Sequence, residues 1–380
     1  MYVTGRNNTG VGTILASLAE ASKRLNISKV VVCAKSESNK VIVAGAIEKI
    51  NSKLSTAIDV EYEAAGDGGI DAVEKLCLKW KFDCAIVSLP DHLHYQYCVK
   101  LMELKIHCLV VKPLTPTFDE AQKLAALQKA NNLHCCVEFH KRHDETNLYI
   151  KRLLLEETIG TPVYFSVDYT QRINIPEVVF KGWAEKTNIF QYLGVHYVDL
   201  IYFLTGFKPY KICAAGVKNV LLKKGIDTYD SVHATIRWRD ELKNRPDFIS
   251  VLTINWIDPD TTSALSDQKY RMICSGGRID CDQKNRGLEL VTPEKGIQAV
   301  NPYFSDYLYD EDEKYRFNGY GYKSVYTFLD DIRHILAGKS EPFEYEDKRP
   351  TFTQSLISTA VIDKATSSLA RDFEWREIKC

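Results

Sequence analysis

The stretch "VTGRNNTGVGTILASLAEASKRL", residues 3–25, decides how the chain is read. Gly5, Gly10 and Gly12 stand in a G-x4-G-x-G spacing, and Val11, Ile14, Leu15, Leu18 and Leu25 follow at helical intervals. A glycine turn that opens a helix leaves unpaired N–H groups at the helix start, where phosphate oxygens bind. The spacing departs from G-x-G-x-x-G, and a plain strand-to-helix connection is the alternative reading of the turn by itself.

The residues beyond it decide between these. "KVVVCA" (29–34) reads as a buried parallel strand, and strands and helices then alternate. A helix near 39–54, the strand "DVEYE" and a helix near 70–79 are followed by "DCAIVSLP" (83–90), a helix near 91–103 and "IHCLVV" (106–111). A helix near 117–131 and "LHCCVEF" (133–139) complete the series. This alternation predicts a doubly wound parallel sheet, a Rossmann dinucleotide-binding domain over residues 1–140. Ligands of such sheets bind at the carboxyl ends of the strands. The cofactor-binding candidates are therefore Gly5, Arg6, Asn7, Asn8, Thr9, Gly10, Lys35, Ser36, Ser88, Leu89, Pro90, His94 and Lys112. Asn7, Asn8 and Thr9 could hydrogen-bond phosphate, and Arg6 could reach one. Lys35-Ser36 occupies the strand end where NAD-preferring sheets place an acid, which predicts NADP, with NAD the alternative because Glu37 is adjacent. Few residues precede Gly5, and a second reading puts the true start upstream, leaving the edge of the nucleotide site incomplete.

After residue 140 the grammar changes. "TPVYFSVDYTQR" (161–172), "YKICAAGVKNV" (210–220), "SVHATIRW" (231–238), "ISVLTINWI" (249–257) and "KYRMICS" (269–275) are longer and partly alternating. They predict an α+β domain, residues 141–380, with a large open, mostly antiparallel sheet for substrate binding and oligomerisation, its C-terminal helices packing back on the first domain. Lys plus Arg (49) nearly balances Asp plus Glu (50), which recommends neither nucleic acid nor an anionic membrane as partner. No signal peptide or membrane-length apolar run is present, so a cytoplasmic protein with a small-molecule partner is expected. The eleven cysteines include no C-x-x-C pair and read as reduced, mostly buried thiols, with no metal site.

Three segments, "CLVVKPLTPT" (108–117), "SLPDHLHYQYC" (88–98) and "GVHYVDLIYFLTG" (194–206), together resemble the Gfo/Idh/MocA family of NAD(P)-dependent oxidoreductases. "EFHKRHDETN" (138–147) and "ETIGTPVYFSVD" (157–168) are similar to that family's domain junction. The resemblance implies a dehydrogenase or reductase acting on a CH–OH group of a sugar, polyol or nucleotide-sugar, assembled as a homodimer or homotetramer. It places Lys112 and His196 at the catalytic centre, with Tyr192 one helical turn before His196, and lends His94 a place beside the nicotinamide. Arg142, Arg172, Trp183 and Asp199 join Lys112, Tyr192 and His196 as substrate-side candidates. Hydride transfer from a carbinol needs a group that takes the hydroxyl proton, a role that suits His196, and a cation that steadies the alkoxide, a role that suits Lys112.

Two departures stand out. The family's Glu-Lys-Pro is Val111-Lys112-Pro113 here, and its frequent Asp four residues before the histidine is Tyr192. Such erosion also characterises ligand-binding regulators that keep the fold without turnover, which is the alternative to an enzyme. Each residue has a plainer reading as well: His196 and Tyr192 as packed core, Lys112 as a solvated strand end, His92 and His94 as helix caps.

Overall fold

The computed structural model describes residues 2–6, 10–241, 245–371 and 373–379. The apolar runs of the first half form β1 (Val30–Ala34), β2 (Val60–Ala64), β3 (Cys84–Val87), β4 (His107–Val111) and β5 (Cys135–Glu138). Helices α1 (Thr13–Ala21), α2 (Asn39–Leu54), α3 (Gly69–Trp80), α4 (His94–Glu103) and α5 (Phe118–Ala130) alternate with them. All pairings are parallel, β1 with β2 and β4 between β3 and β5.

One departure lies at the start. Among the described residues no strand joins the β1–β2 pair to the β3–β4–β5 sheet. Residues 2–4 form a turn, and Gly5–Arg6 pairs antiparallel with Gly10–Val11. The reason is where the backbone acceptors go: the Tyr2 carbonyl accepts from the Thr13 and Ile14 amides (2.8 and 3.2 Å), and the Val3 carbonyl from Leu15 (3.3 Å). This close approach requires a glycine, since a Cβ on Gly12 would fall 2.3 Å from the Gly5 nitrogen and 2.6 Å from the Val3 oxygen.

The second half begins with α6 (Glu145–Leu155), capped by the Asp144 carboxylate on the Thr146 amide. Strand β6 (Pro162–Arg172), helix α7 (Val195–Thr205), and strands β7 (Lys208–Val217), β8 (Ser231–Arg239), β9 (Phe248–Asp258), β10 (Ser266–Cys274) and β11 (Gly277–Asp282) follow. The sheet order is β11-β10-β6-β9-β8-β7, closed at its edge by β12 (Arg376–Glu377). Every pair is antiparallel except the central one, β6 with β9. Alternation turns Phe165, Val167, Tyr169 and Gln171 of β6 inward, where α7, apolar on nearly every side, is buried against them. The outer face is mixed in character. Asp168, His233, Arg237, Lys269, Arg271 and Asp280 share it with exposed Tyr164 and Ile249.

The chain then returns to the first half. Helix α8 (Tyr320–Leu336) places Tyr322 against Ile14, Leu15 and Leu18 of α1, and Val325, Phe328 and Ile332 against Leu109 and Cys136. Helix α9 (Phe352–Leu369) lies between α5 and β7, with the Ser368 hydroxyl accepting from the Ala214 amide. The described cysteines are free thiols, and no described helix is long and apolar enough to cross a membrane.

Candidate active site

Lys112 stands at the carboxyl end of β4, beside a cis Lys112–Pro113 peptide. Its ammonium donates to the Tyr192 carbonyl (2.5 Å) and lies 3.7 Å from the centre of the Tyr192 ring. That carbonyl is free to accept because residues Phe190–Gly194 form a wide π-type turn leading into α7, and such turns release backbone groups from the regular ladder. The Tyr192 ring is wedged edge-on against Phe180 and tilted over Trp256.

The carboxylate missing at position 111 is supplied by a neighbouring strand. Val111 is the register partner of Glu138 at the end of β5, and the Glu138 charge acts on Lys112. Glu138 accepts from His140 Nδ1 (2.9 Å), and the His140 ring lies 4.9 Å from that of His196. Asp91, which accepts from Thr187 (2.8 Å) and Gln191 (2.5 Å), ties the α7 approach to the strand end after β3 and adds a second negative charge toward Lys112.

Burial dominates the electrostatics. It brings the Lys112 ammonium down to about 7, with Glu138 and Asp91 opposing the fall. His196 is held well below the usual imidazole range, first by burial and then by the nearby charges of Lys112, His140 and Lys141. The division of roles read from the sequence is thereby altered, since Lys112 and not His196 changes charge near neutrality. Burial also pushes the Tyr192 phenol up to about 12, so it stays protonated.

The remaining candidates separate. Asn7, Asn8 and Thr9 lie outside the described residues. Gly5 and Gly10 belong to the antiparallel pair before α1, Gly5 opposite Val11 and Arg6 opposite Gly10. The first amides of α1, assigned to phosphate from the sequence, are engaged by Tyr2 and Val3, so a pyrophosphate there requires residues 2–4 to move. Lys35 and Ser36 stand at the end of β1, with Lys35 exposed and 3.3 Å from Asp67. Ser88, Leu89 and Pro90 form the strand end after β3.

Both ring nitrogens of His94 are engaged by the backbone. Its Nδ1 lies 2.8 Å from the Pro113 carbonyl and its Nε2 2.9 Å from that of Leu89. Two carbonyls favour the doubly protonated ring, but burial outweighs them and lowers its pKa, so the neutral ring donates to one at a time. Its visible role is to tie two strand ends together. Arg142 and Asp199 are committed to each other in a buried bidentate pair (2.9 and 2.6 Å) that fastens the segment after β5 to α7. Arg172 donates to Thr262 at the rim of the sheet (3.1 Å). The Trp183 ring is tilted against Phe180 (4.0 Å between centres) and lines a cleft of about 500 Å³ with Lys181, Lys186 and Lys224.

The site also contains groups the sequence reading passed over: Glu138, His140, Lys141, Tyr169, Gln171, Gln268 and Gln283. A signal was available in "EFHKRH", where four titratable groups beside Glu138 crowd one strand's carboxyl end, the place where such sheets hold ligands.

A two-domain chain with a parallel sheet, an open sheet behind it and a lysine–histidine pair between them defines an oxidoreductase architecture. Residues 10–139 match the oxidoreductase family with an NAD-binding Rossmann fold, and residues 147–280 match the GFO/IDH/MocA C-terminal domain. The chain belongs to this family. It is 28% identical over 159 residues to the scyllo-inositol 2-dehydrogenase (NADP(+)) IolW of Bacillus subtilis, covering 40% of this chain and 42% of the relative. It is 23% identical over 186 residues to the UDP-N-acetylglucosamine 3-dehydrogenase of Acidithiobacillus ferrooxidans, covering 49% and 54%. The alignments thus span about half or less of these relatives' lengths. The fold resembles that of the Lactobacillus casei scyllo-inositol dehydrogenase solved with NAD(H) and scyllo-inositol, with a TM-score of 0.67 over 97% of both chains at 13% identity.

Proposed function

We propose that the protein is a nicotinamide-dependent dehydrogenase or reductase acting on a hydroxyl of a sugar, polyol or nucleotide-sugar, with Lys112 as proton carrier. The observation that carries this reading is the Lys112 ammonium, fixed between the Tyr192 carbonyl and ring near neutral His196. A bound nicotinamide ring supplies the hydride acceptor or donor. Lys112 Nζ, in its neutral form, takes the hydroxyl proton as the carbinol carbon gives up its hydride. His196 stays neutral and hydrogen-bonds the reacting oxygen, and Tyr192 holds the ammonium in place.

The pH dependence follows in sign. Oxidation needs the neutral amine, so kcat/KM for oxidation should rise through about pH 7 and level off above it. An arginine stays charged throughout this range, so Lys112→Arg should remove both the rise and the activity. A limb unchanged in that variant would assign the proton to another group. In the same experiment Tyr192→Asp, adding a negative charge beside the ammonium, should move the limb to higher pH.

For the cofactor, NADP(H) is favoured over NAD(H) by Lys35 and Ser36 at the end of β1. Titrating both reduced cofactors should give tighter NADPH binding, with the preference reduced in Lys35→Asp; tighter NADH binding would reverse the assignment. A second copy of the chain would meet the open outer face around Tyr164 and Ile249. Light scattering at micromolar concentration should then give a dimer or tetramer mass, and a monomer mass would refute it. A non-catalytic regulator has one observation in its favour, the self-engaged amides of α1. Absence of turnover with either cofactor over a broad sugar panel would support that reading.

A further inference from the structure

Lys141 is a buried ammonium for which no role has yet been given. It is 3% exposed and follows β5 directly, in the segment that carries His140. Its Nζ donates to Gln268 Oε1 (2.6 Å) and Gln283 Oε1 (2.5 Å), and it lies over the Tyr197 ring at 4.8 Å. Among the described residues no carboxylate forms an ion pair with it. The two acids nearest in chain are engaged elsewhere: Asp144 is held by Arg286 in a two-point pair (2.9 and 3.1 Å), and Glu138 by His140. Lys141 adjoins the catalytic pair: the ring of its chain neighbour His140 lies 4.9 Å from that of His196, and Tyr197, which Lys141 covers, follows His196 on α7.

A buried ammonium costs free energy unless something in its surroundings recovers it. Two neutral amides and an aromatic face recover part. The same corner also holds unused polar atoms. Gln283, 2% exposed, must turn Oε1 toward Lys141 and the Tyr197 hydroxyl (3.0 Å), which leaves its Nε2–H buried without a partner. His196 Nδ1 is buried and unpartnered as well. An unused amide donor beside a buried cation without a paired carboxylate calls for an anionic acceptor.

We propose that Lys141 and the Gln283 amide form an anion subsite of the active site, and that the substrate is a sugar acid whose carboxylate seats there. The inference rests on the sugar dehydrogenase reading and narrows it from polyhydroxy compounds to those with a carboxylate. A planar carboxylate offers two oxygens to two donors, one from Nζ and one from Nε2–H. A tetrahedral phosphate monoester presents three oxygens and two charges, for which this corner shows no third donor. Asp144, Arg286 and Cys281 also face Lys141, and their charges bear on its ammonium in both directions.

The test is calorimetric titration of the full-length protein, without cofactor, with D-glucuronate, D-galacturonate, D-glucose, myo-inositol and D-glucose 6-phosphate. One uronate should bind at least about tenfold tighter than the neutral compounds, the size expected for a hydrogen bond to a charged group. Gln283→Glu places a carboxylate against Lys141 at constant side-chain size and should abolish that preference. Lys141→Arg should retain part of it, and Lys141→Met none. Melting curves and NADPH fluorescence identify variants that have lost the fold. Equal or tighter binding of the neutral sugars by the wild type overturns the proposal, and so does a uronate preference that survives in folded Gln283→Glu. Tighter binding of glucose 6-phosphate than of either uronate overturns the carboxylate assignment. Failure of the wild type to bind NADPH or NADH would overturn the dehydrogenase reading alone, because the acid preference is measured without cofactor and stands or falls by itself.

Discussion

Lys112→Met and His196→Ala are each expected to lower turnover by about 10²- to 10⁴-fold, the range for a group acting on the transferring proton or developing charge. Cofactor affinity should change little, since both side chains act at the reacting carbon end of the crevice and not along the nucleotide. The two losses should differ in their pH behaviour. Lys112→Met removes the group whose burial brings it to about 7, so residual activity should be flat across neutrality. His196→Ala leaves that group in place but takes away one of the groups packed around it, so a limb near neutrality should persist at lower amplitude. The check is kcat and KM from pH 5 to 9 on a competent substrate, with NADPH titration alongside. Near wild-type turnover in either variant would remove that residue from the chemistry.

The second large effect concerns stability. Arg142 and Asp199 are 8% and 2% exposed and form a bidentate pair, so removing one partner leaves a charge buried without compensation. Arg142→Met should cost about 3–5 kcal/mol, a large share of the total stability of an ordinary domain. Replacing both, Arg142→Met with Asp199→Leu, should recover much of that loss, because an apolar pair avoids the desolvation penalty. Urea denaturation of the two variants and the wild type measures this directly. If Arg142→Met instead unfolds like the wild type while KM rises, the guanidinium faces substrate, as the sequence suggested.

These two residues show where a linear reading stops. The strands "KVVVCA", "DCAIVSLP" and "IHCLVV" were visible as apolar runs between helical segments, and each is found within three residues of its expected bounds. Lys112 at a strand end and His196 on a buried helix were visible because position within an element constrains them. Arg142, Asp199, Arg172 and His94 were not, since an arginine that grips a ligand and one that grips an aspartate across the domain have the same local sequence. Glu138 was missed for the complementary reason. Its proximity to Lys112 depends on the register between two strands 27 residues apart, which no local pattern encodes. The turn at residues 2–4 escaped because helix-start amides and a sheet edge compete for the same carbonyls, and the outcome depends on the Gly12 contact.

The return of α8 to the first half has a consequence during synthesis. Ile14, Leu15 and Leu18 complete their core only with Phe317 and Tyr322, some three hundred residues later. At a translation rate of about 5–20 residues per second, the apolar side of α1 waits roughly 15–60 s before its partner leaves the ribosome. A nascent first half therefore exposes apolar surface of the kind chaperones bind, and contacts this distant in sequence slow the final closure further. Expressing residues 1–140 alone would leave that surface uncovered permanently, so the nucleotide-binding half should be studied within the whole chain.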